Sequence, residues 1–440
     1  MRFIHTADLH IDSPMRGLAA YPDAPAGRLR SATREAFQNL VGIAIEEKVD
    51  FMVIAGDIYD GDWKDFNTGL FFIAQMGRLK RAGIPVYLLY GNHDAEADMT
   101  RSLTLPDNVH VFSSRKAETF RHPHLNVALH GRSFRVAATT DNLVPNYPEP
   151  VSGCFNIGVL HTALEGRSEH ARYAPCTVAE LEAKGYQYWA LGHVHEQAIM
   201  PAPEARRPGQ PLIAFSGNIQ GRHIRETGAR GALLLTVEDD EITTVETLTV
   251  DVLRWERLDI VLGGQDDMET ALLAVGKGLE ALLEKTPADL PLAVRVIFSG
   301  MTPAHKALLS KDEQLRQEVI ARAVALTPDR IWIEKVKVST QPPVAGTDDT
   351  DPGTSHVDAL ADLEKLARGS ISDESFVTEL IDQWQLLLKI LPREVREASQ
   401  ALVDLHQSPE THLQAWLEDS LPLMMDRVEQ VRSPGQPNVS

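Results

Sequence analysis

The chain has 440 residues, of which 43% are hydrophobic and 24% charged, and a formal net charge of −19. That length exceeds what one hydrophobic core usually supports and predicts two or three domains, while no run approaches the roughly 18 apolar residues of a membrane-spanning helix. The acidic balance excludes a protein that holds nucleic acid by bulk charge, because phosphate affinity rests on lysine and arginine displacing counterions.

The negative charge is concentrated late, with 18 acids against 7 bases between Gln341 and Ser440. An anionic substrate would therefore need bound cations or a partner protein to offset repulsion. The opening segment MRFIHTADLHID carries polar groups where a signal peptide would carry its apolar core. Cys154 and Cys176 are too far apart for a CxxC redox or zinc motif. A reducing, cytoplasmic setting is the expectation.

Over the first 200 residues short apolar runs alternate with helical patterns, which predicts a layered α/β fold. The strands expected are Arg2–Ala7, Phe51–Ala55, Val86–Tyr90, Phe155–Leu160 and Tyr188–Leu191. Amphipathic helices are expected over Leu29–Lys48 and around Leu70–Leu79, the latter closed by Gly83. Shorter runs at Val109–Phe112, Asn126–Leu129, Leu212–Phe215, Gly231–Val237 and Ile242–Leu248 read as antiparallel strands of a second sheet.

From Trp255 to Val338 the pattern restarts as strand, helix, strand, helix, strand, which predicts a compact α+β unit over 255–338 after a domain spanning 1–254. The proline, glycine and acid content of 339–355 predicts a flexible linker. Helices follow over 356–440. One is FVTELIDQWQLLLKIL, with Phe376, Leu380, Trp384, Leu387, Leu388 and Leu391 on one face, and a second holds Leu413, Trp416 and Leu417. Such faces either pack on their own protein or dock on a partner.

The chemistry is concentrated just past the ends of the principal strands. Asp8-Leu9-His10 comes after the first, Gly56-Asp57 and then Asp60 after the second, Asn92-His93-Asp94 after the third, His161 after the fourth and Gly192-His193-Val194-His195 after the fifth. In an open α/β sheet the carboxyl ends of strands line one edge, where ligands bind. In Asp8-x-His10 and His193-x-His195 the i,i+2 spacing on an extended backbone predicts both side chains on one side, serving one site. A GNHD alone would read as a turn and a lone buried histidine as structural; the joint recurrence reads as convergence.

Imidazole with carboxylate suits manganese, iron or zinc better than calcium. Asp8, His10, Asp57, Asn92, His161, His193 and His195 are too many ligands for one tetrahedral zinc, and two ions about 3.5–4 Å apart fit them better. Such a centre neutralises phosphate oxygens and acidifies a bridging water for in-line attack. His93 is the imidazole left over, expected as general acid or stabiliser of the leaving oxygen. Asp60 is the carboxylate expected to hold its ring, with Asp94 a cap for the following helix. His130 also ends a strand but reads as structural. In GNIQGRHIRETGARG, Arg222, His223, Arg225 and Arg230 form either a phosphate-contacting loop or a solvated one. Arg28, Arg30 and Arg34 read as a decorated helix face.

D-x-H, GDxxD, GNHD, a strand-end histidine and GHxH, in this order, resemble the calcineurin-like metallophosphoesterases. Within that superfamily the chain is similar to the double-strand-break repair nucleases of the bacterial SbcD type, and most of all to the YhaO branch, through DLHIDSPMRGL, GDIYDGDWKDFNTG and SGNIQGRHIRETGARG. The resemblance implies a four-layer α/β/β/α sandwich with a small α+β cap domain and a helical C-terminal region. It implies Asp8, His10, Asp57 and His195 around one Mn2+ and Asp57, Asn92, His161 and His193 around a second, with His93 acting at the leaving group. Some relatives carry a histidine where this chain has Asp60. DNA as substrate, homodimerisation and an SMC-like ATPase subunit are implied as well. The chain shows no GxxxxGK[ST] loop, so that ATPase would be a separate chain. Rival readings are a small-molecule or cyclic-nucleotide phosphodiesterase and a non-catalytic scaffold stabilised by metal.

Overall fold

The structure, a computed structural model, describes residues 1–15, 26–60, 66–96, 104–136, 138–164, 173–202, 205–207, 209–343, 365–369, 374–390, 417, 420 and 421. In chain order the first elements are β1 (Arg2–Thr6), α1 (Ala26–Glu46), β2 (Phe51–Ala55), α2 (Phe66–Arg81), β3 (Val86–Leu89), α3 (Asn92–Glu96) and β4 (Val109–Val111). Then come β5 (Glu118–Arg121), β6 (Val127–Gly131), β7 (Phe155–His161), α4 (Val178–Ala183), β8 (Tyr188–Gly192), β9 (Ala198–Met200) and β10 (Leu212–Phe215). The long strands β11 (Gly231–Glu238) and β12 (Glu241–Thr249) close this part.

Two six-stranded sheets result, ordered β12-β11-β1-β2-β3-β4 and β5-β6-β7-β8-β10-β9. β1 to β4 run parallel, as do β6, β7, β8 and β10. The five strands that lead into the candidate ligands are therefore split, three in the first sheet and two in the second. The expectation of a separate antiparallel second sheet is corrected here. β4 extends the first sheet in parallel, β11 and β12 extend its other edge antiparallel, and β6 and β10 pair parallel inside the second. Apolar alternation reports burial on each face and says nothing of which neighbour a strand will choose.

Alternation does explain the layers. In β2, Phe51, Val53 and Ala55 point between the sheets, while Met52 and Ile54 meet Phe37, Leu40 and Val41 of α1 and Phe72 and Met76 of α2. A strand covered on both faces needs no polar side, which is why FMVIA is wholly buried. Phe3 stacks on Phe51 between the sheets with centroids 4.8 Å apart, each ring contributing about 1.5–3 kcal/mol by burial. Beyond the second sheet, Leu160, Trp189, Leu191 and Phe215 pack with Leu181 of α4 and with Leu143 and Tyr147. The order helix, sheet, sheet, helix is the four-layer arrangement that the resemblance implies.

The chain divides into two compact units, one of residues 1–256 with 289–293 and the other of 257–288 with 294–440. Mainly in the second, β13 (Arg254–Leu262), β14 (Leu292–Met301) and β15 (Ile331–Gln341) form a three-stranded sheet in that order. α5 (Met268–Glu284) begins where Asp267 accepts the Thr270 amide at 2.8 Å, a side-chain cap that satisfies one exposed amide. α6 (His305–Ser310) and α7 (Asp312–Leu326) follow, with Leu308, Leu315 and Val319 buried. Later, α8 (Glu374–Ile390) buries Ile381 among Val377, Leu380, Trp384 and Leu417. Leu413 and Trp416, most of the predicted linker, and the side chains of Phe376, Leu387, Leu388 and Leu391 lie outside the described residues. No described helix is long and apolar enough to cross a membrane.

Candidate metal centre

The loops after β1 and β2 run on side by side beyond their strands. The Asp8 amide donates to Gly56 O at 2.9 Å, the His10 amide to Asp57 O at 3.1 Å and the Ile11 amide to Ile58 O at 2.9 Å. Asp8, His10 and Asp57 adopt left-handed backbone, with φ of 51°, 41° and 54°, and His193 has φ of 97°. Such values are uncommon outside glycine and concentrate at functional sites. They correct the extended geometry expected for the two i,i+2 pairs: Asp8 and His10 do share a cluster, but His193 and His195 fall in different ones.

Close approach of the two sheets is what lets these loops meet. A Cβ on Gly192, at the end of β8, would lie 2.1 Å from Ala55 O at the end of β2. A Cβ on Gly91 would lie 2.3 Å from an Asp57 carboxylate oxygen. The glycines of GNHD and GHxH therefore occupy places where no side chain fits.

Two groups of donors converge. In one, Asp8, His10 and His195 come together; in the other, Asp57, His161 and His193, with ligand atoms within 4.8 Å of one another. Asn92 joins the second, its Oδ1 3.0 Å from His161 Nε2, and Asp57 Oδ2 lies 3.4 Å from the same nitrogen. Asp8 also accepts the His193 amide at 3.0 and 3.1 Å, linking the groups. His93, half-buried, anchors its amide on Asp57 Oδ1 at 3.1 Å, and its ring centroid is 5.2 Å from that of His10. It forms a further group with His10 and Asp60.

Asp60, expected behind His93, makes its 2.7 Å hydrogen bond to His10 Nδ1. Glu226, which the motifs leave unmarked, accepts from His195 Nδ1 at 2.6 Å. Asp94 accepts the amides of Ile58, Tyr59 and Gly91, tying together the loops after β2 and β3. His130 stands apart, both ring nitrogens engaged by Thr119 and Asn156 and its ring stacked on Tyr186. Two arginines of the 216–231 loop turn inward, while Arg225 is exposed. Arg222 pairs with Asp60 and Glu226, and Arg230 donates to the carbonyls of His195 and Thr227. Arg34 makes a bidentate pair with Asp12, while the Arg28 and Arg30 side chains lie outside the described residues.

Whether these residues fit a cation can be read from their protons. The carboxylates of Asp60 and Glu226 can only accept, so His10 and His195 carry their protons on Nδ1. Their Nε2 atoms then present lone pairs to each other at 3.1 Å. That contact is repulsive unless a proton or a metal ion lies between. His161 donates from Nδ1 to Ala55 O at 2.9 Å, and its Nε2 faces Asn92 Oδ1 and Asp57 Oδ2, to which it donates while the ring is protonated and where it offers a lone pair to a cation once that proton is displaced.

Charges point the same way. Burial pushes the Asp8 carboxyl up to about 6 although His195 and His161 oppose it. Burial also opposes charge on Asp57, but His161 beside it outweighs that and holds the carboxyl well below the usual range. In His161, burial is overcome by Asp57 and Asp8, and its proton is held up to about 9. The site demands positive charge, and its mix of imidazole, carboxylate and amide oxygen suits a first-row divalent metal.

Comparison with known proteins gives a consistent outcome. Residues 1–197 match the calcineurin-like phosphoesterase family, and residues 255–341 match the middle domain of metallophosphoesterase YhaO. The chain is 33% identical over 306 residues to the uncharacterized metallophosphoesterase YhaO of Bacillus subtilis, a match covering 69% of this chain and 72% of that protein. It is 26% identical over 237 residues to the DNA double-strand break repair protein Mre11 of Sulfurisphaera tokodaii, covering 50% of this chain and 57% of that one. The same identity holds over 282 residues for Mre11 of Methanopyrus kandleri, with 58% of each chain covered. Against both Mre11 proteins the match spans less than two thirds of their length.

Proposed function

The chain belongs to the calcineurin-like phosphoesterase family, and on that premise we propose that it is a manganese-dependent DNA exonuclease, a two-metal phosphodiesterase of DNA repair working with a separate SMC-like ATPase. Membership in the family makes it a metal-dependent phosphoester hydrolase. The observation that carries the reading is the facing pair of imidazole lone pairs on His10 and His195, 3.1 Å apart, beside a second group of donors built on Asp57. The choice of DNA is supported by the likeness to two proteins named for double-strand break repair. The same reading makes the chain a cytoplasmic homodimer.

In this proposal Asp8, His10, Asp57 and His195 hold one ion, and Asp57, Asn92, His161 and His193 the other. When bound, two such ions supply charge neutralisation at the phosphate and a water acidic enough to attack phosphorus in line. The chain's own groups set the stage. Asp60 and Glu226 fix the proton positions of His10 and His195, so that no reorganisation is needed when the site fills. Asp94 holds the loops after β2 and β3 together, keeping Asp57 and Asn92 in place. His93 gives a proton to the leaving oxygen, its position set by the bond from its amide to Asp57.

The test is direct. Linear duplex and single-stranded DNA are incubated with the purified chain in manganese or in EDTA, beside His93→Ala and with bis-p-nitrophenyl phosphate as a small diester. DNA shortening in manganese alone is expected, and His93→Ala should slow it by about 10²–10⁴-fold. Cleavage of the small diester with both DNAs untouched would remove the nuclease reading and leave the family chemistry standing.

A further inference from the structure

The histidines of the two donor groups are backed unequally. Behind His161 stands a neutral acceptor, Ala55 O, 2.9 Å from Nδ1. Behind His10 and His195 stand full carboxylates, Asp60 at 2.7 Å and Glu226 at 2.6 Å. Glu226 is itself held firmly. Its side chain is 6% exposed, the Arg222 amide donates to Oε2 at 2.7 Å, and Arg222 Nη2 lies 3.4 Å from Oε1. The other end of the same guanidinium reaches Asp60 Oδ1 and Ser13 Oγ, at 3.3 and 3.2 Å. One arginine thus spans both backing carboxylates.

Arg222 Nη2 also lies 3.3 Å from His195 Nδ1, where it would compete as a donor. The 2.6 Å contact with Glu226 decides the matter, because a charge-assisted bond to a carboxylate is shorter and stronger. The proton therefore sits on Nδ1, and Nε2 is left to face His10. Neighbouring contacts hold this orientation, since Arg230 Nη1 and the Asn218 amide both donate to His195 O, at 2.6 and 3.2 Å.

We infer that Glu226 is a positioning residue for one of the two cations only, the ion held by Asp8, His10, Asp57 and His195. It fixes the tautomer of His195 and strengthens its Nε2 as a donor, as carboxylates behind metal-bound histidines do. Arg222 offsets the charge of Glu226 and Asp60 together, keeping both as hydrogen-bond acceptors behind the imidazoles. Behind the other ion, the contacts of His161 run to Ala55 O, Asn92 and Asp57 and include neither carboxylate. The inference rests on the two-ion reading of the centre.

The experiment is manganese titration of the metal-stripped full chain by calorimetry, with electron paramagnetic resonance to detect the spin-coupled pair of ions. Wild type is expected to bind two. Glu226→Gln should bind one ion as wild type does and the other about 10–100-fold more weakly, with the coupled signal lost at manganese levels that fill wild type. Asp60→Asn, whose carboxylate is more open to solvent at 26% exposure, should weaken the same single ion through His10, which checks independently that the backing carboxylates serve that ion alone. Unchanged melting of the metal-free variants would separate this from general damage to the fold. Two ions bound at wild-type affinity by Glu226→Gln, whatever Asp60→Asn does, or equal weakening of both ions in Glu226→Gln, would overturn the role of Glu226. Failure of wild type to take up a second ion would overturn the paired centre itself, and this inference with it.

Discussion

Asp94 reaches back from α3 to accept the Ile58 amide at 2.9 Å, so the turn after β3 is bolted to the turn after β2. The same carboxylate takes the Tyr59 amide at 3.1 Å and the Gly91 amide at 3.0 Å. Its substitution by alanine leaves buried donors without acceptors, at a cost of about 1–3 kcal/mol for each group that water cannot reach. Asp94→Ala is expected to lower the unfolding free energy by about 3 kcal/mol, read from urea denaturation of the metal-free chain. A loss below about 0.5 kcal/mol, the range of an ordinary surface change, would show that water replaces the carboxylate.

Gly192→Ala tests the contact between the two sheets. The new methyl would meet Ala55 O, a backbone atom with no freedom to swing aside, and Ala7 Cβ at 3.0 Å. Overpacking of this kind costs about 1–3 kcal/mol. Both a lower denaturation midpoint and weaker manganese binding are expected, because the ligands of each sheet are carried by the strand ends that move. A variant as stable as wild type would mean that the sheets separate more easily than the geometry implies.

Removal of metal should cost stability. With the cation gone, His10 and His195 face each other through lone pairs, and the Asp57 carboxylate keeps only its protein partners. Manganese at a hundred times its Kd should raise the unfolding free energy by about 2.7 kcal/mol per ion relative to EDTA. The shift is measured by thermal melting across a manganese series, and no dependence on manganese would contradict binding at this place.

Acid should unfold the protein partly through His5, away from the donor groups. His5 accepts the Tyr188 hydroxyl at Nδ1, 2.7 Å away, and donates from Nε2 to Leu191 O at 3.2 Å. Burial lowers its proton affinity to about 3, against an ordinary value of 6.5. Below pH 6.5 the unfolded chain gains a proton that the folded chain refuses until about pH 3. Stability from this residue is complete above pH 6.5 and falls by about 1.4 kcal/mol per pH unit through that window. His5→Phe cannot protonate, so its stability at pH 7 should be lower while its slope between about pH 6.5 and 4 is shallower. Parallel slopes would remove His5 as the source.

Much of this was legible in the residues. Phe51–Ala55 and Leu212–Phe215 are read from apolar periodicity with the bounds that the structure gives. The strand-end residues from Asp8 to His195 are likewise brought together as their recurrence suggests. Less legible was which strand lies beside which, since a buried strand looks alike in either sheet. The left-handed turns at Asp8 and His10 were hidden too, because DxH is equally compatible with an extended chain. Glu226 escaped for a different reason. It sits in a loop whose arginines draw the eye to phosphate, and only the fold shows Arg222 serving the carboxylates.

Each donor group takes residues from both sheets: Asp8 and His10 follow β1 while His195 follows β8, and Asp57 follows β2 while His161 ends β7. Neither sheet alone therefore owns a whole nest. A cation held there would rivet one half of the sandwich to the other.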